Sequence, residues 1–453
     1  MNIPHLPFIG VHLRPAQVLV IGFAAVILTG AVLLTLPIAS NSGKSLRFLD
    51  ALFTATSAVC VTGLVVVDTA TQYSRFGQLV ILCLIQVGGL GFMTMSTLIA
   101  FLIGKRISLR ERLVMQEALN QFSPAGLVRL TRNILLTTLL VEGTGAAILA
   151  TRFAFDYPLG RSIYMGIFHA VSAFCNAGFD VMGRLTGPFS SFTSYVSDPV
   201  VSLTICGLLV TGGIGFPVIQ ELYRYRKTHR LSLHAKLVLK ITVVLVIIGT
   251  ILIFLFEYSN PKTMGPLGWG GKFLAALFQS FTPRTAGFST LNIGVMRIGT
   301  LFLLIMLMFI GASPGSTGGG IKTTTFGVLL ATVIATIRGY EEVEIGRRRL
   351  PKDLIFKAMT IAALALALVI AVTMILTFTE RATFIQILFE VTSAFGTVGL
   401  STGITPNLTD LARVLIIMTM FIGRLGPLTV AVALAQRTRP GRVEYIEDRV
   451  MIG

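Results

Sequence analysis

The sequence predicts an all-α polytopic membrane protein made of four parallel repeats, each a span, a short pore helix, a re-entrant loop and a second span. Three observations predict this fold class. Charged residues make up 13% of the 453 residues and hydrophobic residues 54%, whereas a soluble domain carries about 25% charged residues. A short phrase that ends in glycine recurs four times. Lys and Arg are concentrated in a few segments between apolar runs, a pattern typical of cytoplasmic loops in membrane proteins.

The recurring phrase consists of a Phe, a polar residue directly after it, a Ser or Thr four places after the Phe, and then a lone Gly. Its glycines are 115, 109 and 112 residues apart, and so constant a period indicates copies of one structural unit. Each phrase is too short to cross a bilayer, which requires about 20 apolar residues. We therefore expect each one to enter the membrane and return. The copies run from Phe53 to Gly63, from Phe168 to Gly178, from Phe278 to Gly287 and from Phe389 to Gly399.

Apolar runs separate the phrases, and eight transmembrane helices are expected. They lie at residues 16–38, 76–103, 133–151, 198–222, 236–256, 298–336, 354–378 and 411–436. Each phrase falls between an odd-numbered run and the next even-numbered one. With two spans per repeat, all four copies face the same way across the membrane and enclose one central pore. The repeats are expected to occupy residues 1–110, 111–230, 231–345 and 346–453.

The net charge of the chain is +17 at pH 7, which in a soluble protein would suggest a nucleic-acid partner. Here the basic residues cluster in segments 105–132, 224–240 and 338–357 and in the tail 437–453. The positive-inside rule assigns these segments, and both termini, to the cytoplasm. We therefore expect a multi-pass protein of the cytoplasmic membrane that contacts anionic lipids and binds no nucleic acid. The first apolar run is long enough to remain as a span, so no cleaved signal is expected.

The glycine of each phrase and the two residues before it are expected to line a cation filter. Backbone carbonyls can replace the water around a cation without carrying charge themselves. Turning successive carbonyls inward requires backbone angles that glycine adopts most easily. A single glycine of this kind is usually a simple turn, but four in register favour a filter. The expected lining is Val61, Thr62, Gly63, Asn176, Ala177, Gly178, Thr285, Ala286, Gly287, Thr397, Val398 and Gly399.

The sixth apolar run, 298–336, contains a stretch of small residues that predicts a break inside the membrane. The run is too long for one regular crossing, and Gly and Pro lower helix stability by about 1 and 3 kcal/mol relative to Ala. We expect two helical pieces joined by an irregular loop that gates the pore, with close helix packing as the alternative. The expected gating residues are Gly311, Ser313, Gly315, Ser316, Thr317, Gly318, Gly319, Gly320 and Arg424.

Arg424 lies near the middle of the eighth apolar run, where inserting an Arg costs about 2.5–3.5 kcal/mol. The corresponding places in the first two repeats hold Gly89 and Gly213, which leaves room for one long side chain just inside the filter. We expect its guanidinium to donate hydrogen bonds to carbonyls of residues 311–320 and to repel cations. The alternative is a buried ion pair with Glu142.

These features together resemble the potassium transporter superfamily of Trk, Ktr and plant HKT proteins. The four phrases, the eight apolar runs, the Gly-Ser-Thr-rich stretch and Arg424 carry the resemblance, which covers essentially residues 15–453. The length, without two further N-terminal spans, is most similar to the membrane subunits of bacterial Ktr systems. The resemblance implies K+ uptake with Na+ as a coupling or activating ion and no organic cofactor. It also implies a homodimer on a cytosolic ring of nucleotide-binding KtrA-type regulatory subunits.

Other classes of function are less consistent with the sequence. No catalytic constellation emerges from the residues, so an enzyme is not expected. The competing function is an alternating-access secondary transporter of another cation or small solute, which inverted repeats would favour and parallel repeats disfavour. Two polar residues, His169 and Glu390, directly follow the Phe of their phrases. They are expected to cap or brace the pore helices rather than to bind ions.

Overall fold

The structure is a computed structural model that describes residues 15–91, 94, 127–346 and 348–434. Within these ranges the chain is mainly helical, and the strands present there form one antiparallel hairpin. Its strands are β1 (Glu344–Ile345) and β2 (Arg348–Arg349). The helices fall into four successive units with the same order: a long helix, a short buried helix, a loop, and a second helix that ends or bends at glycine.

Unit 1 contains α1 (Pro15–Thr35), α2 (Phe48–Val59), α3 (Thr69–Gln72) and α4 (Arg75–Leu90). The side chain of Ser74 accepts a hydrogen bond from the first turn of α4 and so marks its start. At the other end α4 stops at a glycine, residue 91, with a positive φ of 82°, a conformation that glycine adopts at little cost.

Unit 2 contains α5 (Leu127–Phe153), α6 (Leu159–Phe174), α7 (Gly183–Thr186), α8 (Pro199–Gly213) and α9 (Phe216–Thr228). Its second helix starts at an Asp N-cap followed by Pro, a combination that favours helix initiation. The chain then turns by 100° between α8 and α9. A glycine with a φ of 94° caps the start of α9 and permits this bend.

Unit 3 contains α10 (Leu233–Glu257), α11 (Trp269–Phe281), α12 (Ile298–Phe309) and α13 (Thr323–Ile337). The predicted break in the sixth apolar run is therefore present: α12 and α13 are separated by 13 non-helical residues, 310–322. We call residues 311–320 the intramembrane loop.

Unit 4 contains α14 (Lys352–Thr379), α15 (Phe384–Gly396), α16 (Asp410–Leu425) and α17 (Pro427–Leu434). Here too the second helix bends, by 95° between α16 and α17. Runs 198–222 and 411–436 were each expected to be one transmembrane helix, and in the structure each contains two helices joined at a bend. Poor helix propensity at glycine, followed by proline as the first residue of α17 or the second of α9, explains both bends.

Four helices of the described chain are long and apolar enough to cross a bilayer, and there are up to six spans if each bent pair counts as one. The four are the first helices of the units: α1, α5, α10 and α14. Large apolar side chains on their outer faces are exposed, such as Leu139 at 73% and Phe378 at 88%, as expected for surfaces that face lipid. The predicted all-α membrane class is confirmed.

The short helices α2, α6, α11 and α15 lie at the centre of the molecule. The Phe that opens each recurring phrase is at most 1% exposed in all four copies. Two predicted basic segments fall largely or wholly outside the described residues, namely most of 105–132 and the tail 437–453, as does the end of run 76–103.

Candidate functional site

The loops that follow the four short helices share one backbone conformation. In each loop the residue two places before the glycine has a positive φ although it is not glycine. A non-glycine residue with positive φ is uncommon, and for a β-branched side chain it is a genuine outlier. Its recurrence at equivalent places in all four units indicates a functional constraint. The residues are Val61 (φ 50°), Asn176 (58°), Thr285 (68°) and Thr397 (50°).

The glycines themselves also have positive φ. The angles are 92° at Gly63, 70° at Gly178, 76° at Gly287 and 92° at Gly399. The third phrase is one residue shorter than the others, but its glycine still follows the left-handed residue by two places. The missing residue therefore falls between the end of α11 and Thr285, and the loop has the same conformation as in the other units.

The four glycines form a closed ring, which we call the glycine ring. A Cβ added to any one of them would meet backbone atoms of a neighbouring unit, so no side chain fits between the loops. Each contact involves the carbonyl oxygen of the residue just before a glycine and the glycine of the preceding unit. Measured from the added Cβ to the carbonyl oxygen, the contacts are Gly63 to Ala177 (2.5 Å), Gly178 to Ala286 (3.0 Å), Gly287 to Val398 (2.7 Å), and Gly399 to Thr62. Four units thus meet in chain order around one axis.

The Ser or Thr of each phrase holds its own loop in this conformation. Ser57 Oγ accepts a hydrogen bond from Gly63 N at 3.0 Å, and Ser393 Oγ does the same for its glycine at 3.1 Å. Ser172 and Thr282 instead donate to the carbonyl oxygen of the Phe that follows the glycine, at 2.7 and 2.5 Å. The sequence spacing from Phe to Ser or Thr therefore places one hydroxyl under each loop.

We call the Phe that opens each recurring phrase the marker Phe. The polar residue directly after it forms a hydrogen bond with the segment that follows the glycine. His169 Nε2 accepts from Val181 N at 3.2 Å, and Glu390 accepts from Thr402 N at 3.1 Å. Gln279 donates to Ser289 Oγ, and Thr54 accepts from a tyrosine hydroxyl. The predicted bracing role of His169 and Glu390 is consistent with these bonds.

A cavity of about 670 Å³ adjoins the glycine ring on the side of the segments that follow the glycines, which we call the outer side. All four glycines line it. Asp68 and Asp180 also line it, and each accepts hydrogen bonds from backbone N–H groups. Carboxylates at the mouth of a narrow site raise the local concentration of cations.

The intramembrane loop lies on the opposite, inner side, at the C-terminal ends of the short helices. Its two ends are held together, because Gly311 N donates to Ile321 O at 2.8 Å. Its middle is bonded to the second helices of other units: Thr317 N donates to Gly212 O, and Gly320 N to Gly423 O, both at 3.2 Å. The loop therefore closes the space beneath the ring.

Side chains of the left-handed residues connect the glycine ring to this loop. The hydroxyl of Thr317 donates to the side-chain oxygen of Asn176 at 3.3 Å, and Gly319 N donates to Thr397 Oγ1 at 3.0 Å. A Cβ on Gly318 would collide with Thr285 Oγ1. Units 2, 3 and 4 thus each touch the loop through the polar side chain at this position.

Arg424 lies in α16 at the inner side of the ring, where the sequence placed it. One guanidinium nitrogen donates to the carbonyl oxygen of Thr317, and the other donates to those of Gly88 and Gly89. Glu142 instead accepts from Gln86 at 3.2 Å. Among the described residues the ion pairs do not include Arg424, so the alternative of an ion pair with Glu142 is not what the structure shows.

One set of contacts was missed by sequence reasoning. The glycines near the ends of α4, α8 and α16 pack directly against the last carbonyl oxygens of the short helices, with no room for a Cβ. The contacts pair Gly88 with Val59, Gly212 with Phe174 and Gly423 with Phe395. A glycine at matching places of three repeats was the signal that could have found them.

A ring of four equivalent loops beneath an acidic cavity, set among helices long enough to cross a bilayer, is the construction of a membrane ion-transport protein. The chain belongs to the TrkH family of cation transport proteins, which matches residues 14–442. The resemblance inferred from the motifs is confirmed.

Individual relatives agree with this assignment. The chain is 46% identical over 443 residues to Ktr system potassium uptake protein B of Bacillus subtilis, covering 98% of both chains. It is 38% identical to potassium/sodium uptake protein NtpJ of Enterococcus hirae, again covering 98% of both. Its fold is similar to the crystal structure of the potassium transporter TrkH from Vibrio parahaemolyticus, with a TM-score of 0.73 over 96% of this chain and 87% of that one, at 18% identity.

Proposed function

We propose that the protein takes up K+ across the bacterial cytoplasmic membrane through the glycine ring, which acts as a carbonyl-lined filter. The observation that carries this proposal is the closure of four loops with one backbone conformation around a single axis. The choice of K+ is supported by the names of the relatives, which describe potassium uptake at 38–46% identity.

The filter chemistry follows from the loops. In each unit the left-handed residue, the next residue and the glycine turn their carbonyls so that a dehydrated cation meets oxygen from four sides. Each short helix ends at its loop, and its partly negative C-terminus favours a cation there. The filter residues are the twelve that the sequence indicated, three per unit.

We further propose that the four units are parallel repeats with eight spans in total. In this proposal each bent pair is one broken span, and α12 and α13 form another around the intramembrane loop. All four short helices end at the ring, as rotation about one axis requires, whereas inverted repeats would direct half of them away. This arrangement disfavours an alternating-access carrier. By the positive-inside rule the inner side and both termini are cytoplasmic.

The intramembrane loop and Arg424 are proposed to form the gate. Irregular backbone at this depth is tolerated only where it is buried in protein or lines a water-filled path. Thr317 supports the assignment, because its N–H, hydroxyl and carbonyl bond to units 2 and 4. Moving the loop breaks those bonds and opens the path beneath the filter.

We also propose that uptake depends on Na+ and is regulated by a cytosolic partner. The relative in Enterococcus hirae is named for potassium and sodium, which supports Na+ as a coupling or activating ion. Relatives are named as parts of a Ktr system, which supports the presence of a further component. We propose that this component is a cytosolic nucleotide-binding ring and that the chain assembles on it as a homodimer. We propose that segments 105–132, 224–240 and 338–357 and the tail 437–453 dock that ring. Loss of co-purification with the ring after deletion of 437–453 would support this part, and unchanged co-purification would contradict it.

The proposed function is tested by uptake in cells that lack their own potassium uptake systems. Expression of this chain with its regulatory partner should restore growth at low external K+, and Na+ should increase the rate. An inactive control is Gly178→Ala, which should insert normally but fail to restore growth. Restored growth by that variant, or uptake of an organic solute in place of K+, would reject the filter.

A further inference from the structure

A second cavity, of about 350 Å³, lies on the inner side beneath the intramembrane loop, and we call it the inner cavity. It is bounded by the loop, by α1 and α14, and by the start of α17. Three basic side chains line it: Lys322, Lys357 and Arg424. Its described lining contains no Asp or Glu. A cavity on a cation pathway with this charge is unfavourable for the cation unless something negative occupies it.

Within the part of the chain that the structure describes, no acidic side chain pairs with the basic residues of the inner cavity. Lys322 Nζ donates to the backbone carbonyl of Gly318 at 2.7 Å, and Arg424 donates to backbone carbonyls as described. The ion pairs formed within the described ranges include none of the three basic residues. The polar contacts of Lys322 and Arg424 in the described residues are therefore with backbone carbonyls and not with carboxylates.

The N-termini of helices add further positive charge at the inner cavity. Three helices begin at the inner cavity, because the second span is interrupted in units 2, 3 and 4. The first-turn residues Phe216 of α9, Thr324 of α13 and Leu428 of α17 line it. A helix N-terminus carries about half a positive charge and is a common place for phosphate to bind. Side chains and helix ends thus both favour an anion.

The rest of the lining selects the kind of anion. Leu19 and Phe23 of α1, Ile361 of α14 and Val432 of α17 form an apolar wall beside the basic end. A free anion such as phosphate gains nothing from that wall. A phospholipid gains from both parts, because its phosphate meets the basic residues while an acyl chain lies along the apolar side chains. Basic pockets between membrane helices are known to hold anionic headgroups.

We propose that the inner cavity binds an anionic phospholipid, with its phosphate at Lys322, Lys357 and Arg424. The lipid lowers the positive potential on the cation path and competes with the Thr317 carbonyl for the guanidinium of Arg424. The uptake rate therefore rises with the fraction of anionic lipid. This consequence for uptake rests on the proposed function, whereas lipid binding itself does not.

Binding is tested with the purified full-length protein by native mass spectrometry during titration with phosphatidylglycerol or phosphatidylcholine. The test variant is Lys357→Gln, which removes one cavity charge. The matched control is Lys352→Gln, an exposed Lys at the start of the same helix that does not line the cavity. Near an anionic surface one Lys contributes about 1 kcal/mol, so Lys357→Gln should weaken phosphatidylglycerol retention about fivefold and Lys352→Gln should not.

Two outcomes would overturn the proposal. Equal effects of the two substitutions would show general surface attraction instead of a site. Displacement of the lipid by millimolar inorganic phosphate would assign the cavity to a free anion. The second measurement is Rb+ uptake into vesicles with increasing phosphatidylglycerol, in which the response of Lys357→Gln should be flatter than that of the control. Lys357-dependent binding without any uptake would uphold the site and reject the proposed transport function instead.

Discussion

The outer and inner sides of the glycine ring are organised in opposite ways. On the outer side all four units make the same kind of contact: a hydroxyl holds the loop, and the residue after the marker Phe holds the segment that follows. These bonds join residues within one unit. On the inner side a single unit supplies the intramembrane loop, and most of its bonds cross to other units.

This difference distinguishes the four filter loops, which are expected to stay in place, from the intramembrane loop, which is expected to move. Hydroxyl bonds within each unit hold its own filter loop, and contacts between neighbouring loops complete the ring. Bonds between units can be exchanged by moving one loop, and the residues of the ring need not move with it. Selectivity is therefore expected to reside on the outer side, where the four units are alike (the symmetric side). Control of the flux is expected on the inner side, where one unit supplies the loop (the asymmetric side). The substitutions below test that division, from the largest expected effect to the smallest.

The largest effect is expected at the ring itself, for Gly178→Ala. Its φ of 70° strains any other residue, and a Cβ would lie 2.7 Å from Gly287 Cα. Strain of about 1–3 kcal/mol, with the collision added, should reduce K+ uptake at least about 100-fold and weaken the preference for K+ over Na+. Uptake kinetics for K+ and Na+ at matched membrane expression measure this.

The control for that substitution is Gly403→Ala. Gly403 also has a positive φ, 96°, but a Cβ there would meet nothing within 4 Å. It carries a similar backbone strain without the crowding of the ring, so uptake should remain close to wild type. If both variants lose uptake equally, strain alone explains the result and the ring has no special role.

The symmetric side was predictable from sequence because its information is local. The Phe, the Ser or Thr and the Gly of one phrase lie within 11 residues. The hydroxyl bonds to the glycine or to the residue after it, so the spacing within the phrase indicates the structure. All twelve predicted filter residues lie in the four loops. The left-handed conformation of Val61 was not predictable, because β-branched residues avoid it. The contacts that hold it, the Ser57 bond and the packing of the ring, form only in the folded protein.

The asymmetric side was predicted in outline only. The low helix propensity of residues 311–320 predicted the break in the helix. The hydrogen-bond partners of the loop, such as Gly212 and Gly423, lie about 100 residues away in either direction along the chain. Such pairs leave no periodic signal in one sequence. The bends between α8 and α9 and between α16 and α17 were missed although the glycine and proline that explain them are local signals.

Shortening the intramembrane loop should have the next largest effect. Deleting Gly315, Ser316 and Thr317 removes bonds to Phe216 and Gly212, each contributing about 0.5–1.5 kcal/mol. Uptake should rise about tenfold or more while the preference for K+ over Na+ stays unchanged. A folded variant with altered ion preference would contradict the division between the two sides, and one with unchanged flux would indicate a packing role for the loop.

Arg424→Ala tests the single charged contact that joins three units. Hydrogen bonds to a charged group contribute about 1.5–3 kcal/mol, and those of Arg424 hold the loop to α4. The variant should change K+ flux about tenfold while still inserting in the membrane. Glu142→Gln is the matched control, because Glu142 bonds to Gln86 instead. If Glu142→Gln reproduces the phenotype, or if Arg424→Ala does not fold, the gating role is rejected.

The smallest effect is expected for Thr397→Val, which keeps the shape of the side chain but removes the hydroxyl that accepts from Gly319 N at 3.0 Å. Loss of one neutral hydrogen bond, about 0.5–1.5 kcal/mol, should favour the open loop and raise flux about two- to tenfold. Ion preference should not change, because the filter carbonyls and the Ser393 brace remain. Rb+ influx against concentration separates the two quantities.

Unit 1 supplies the matched control for this last substitution. Its equivalent residue is Val61, which already lacks a hydroxyl and has the same φ of 50° as Thr397. Among the described residues, the hydrogen bonds of the intramembrane loop do not reach Val61. Val61→Thr should therefore leave flux unchanged, since a hydroxyl at that position finds no loop amide to bind. If both substitutions change flux by the same factor, the side chain at this position acts on the filter in every unit. The asymmetry of the inner side would then lie in Arg424 and Thr317 alone.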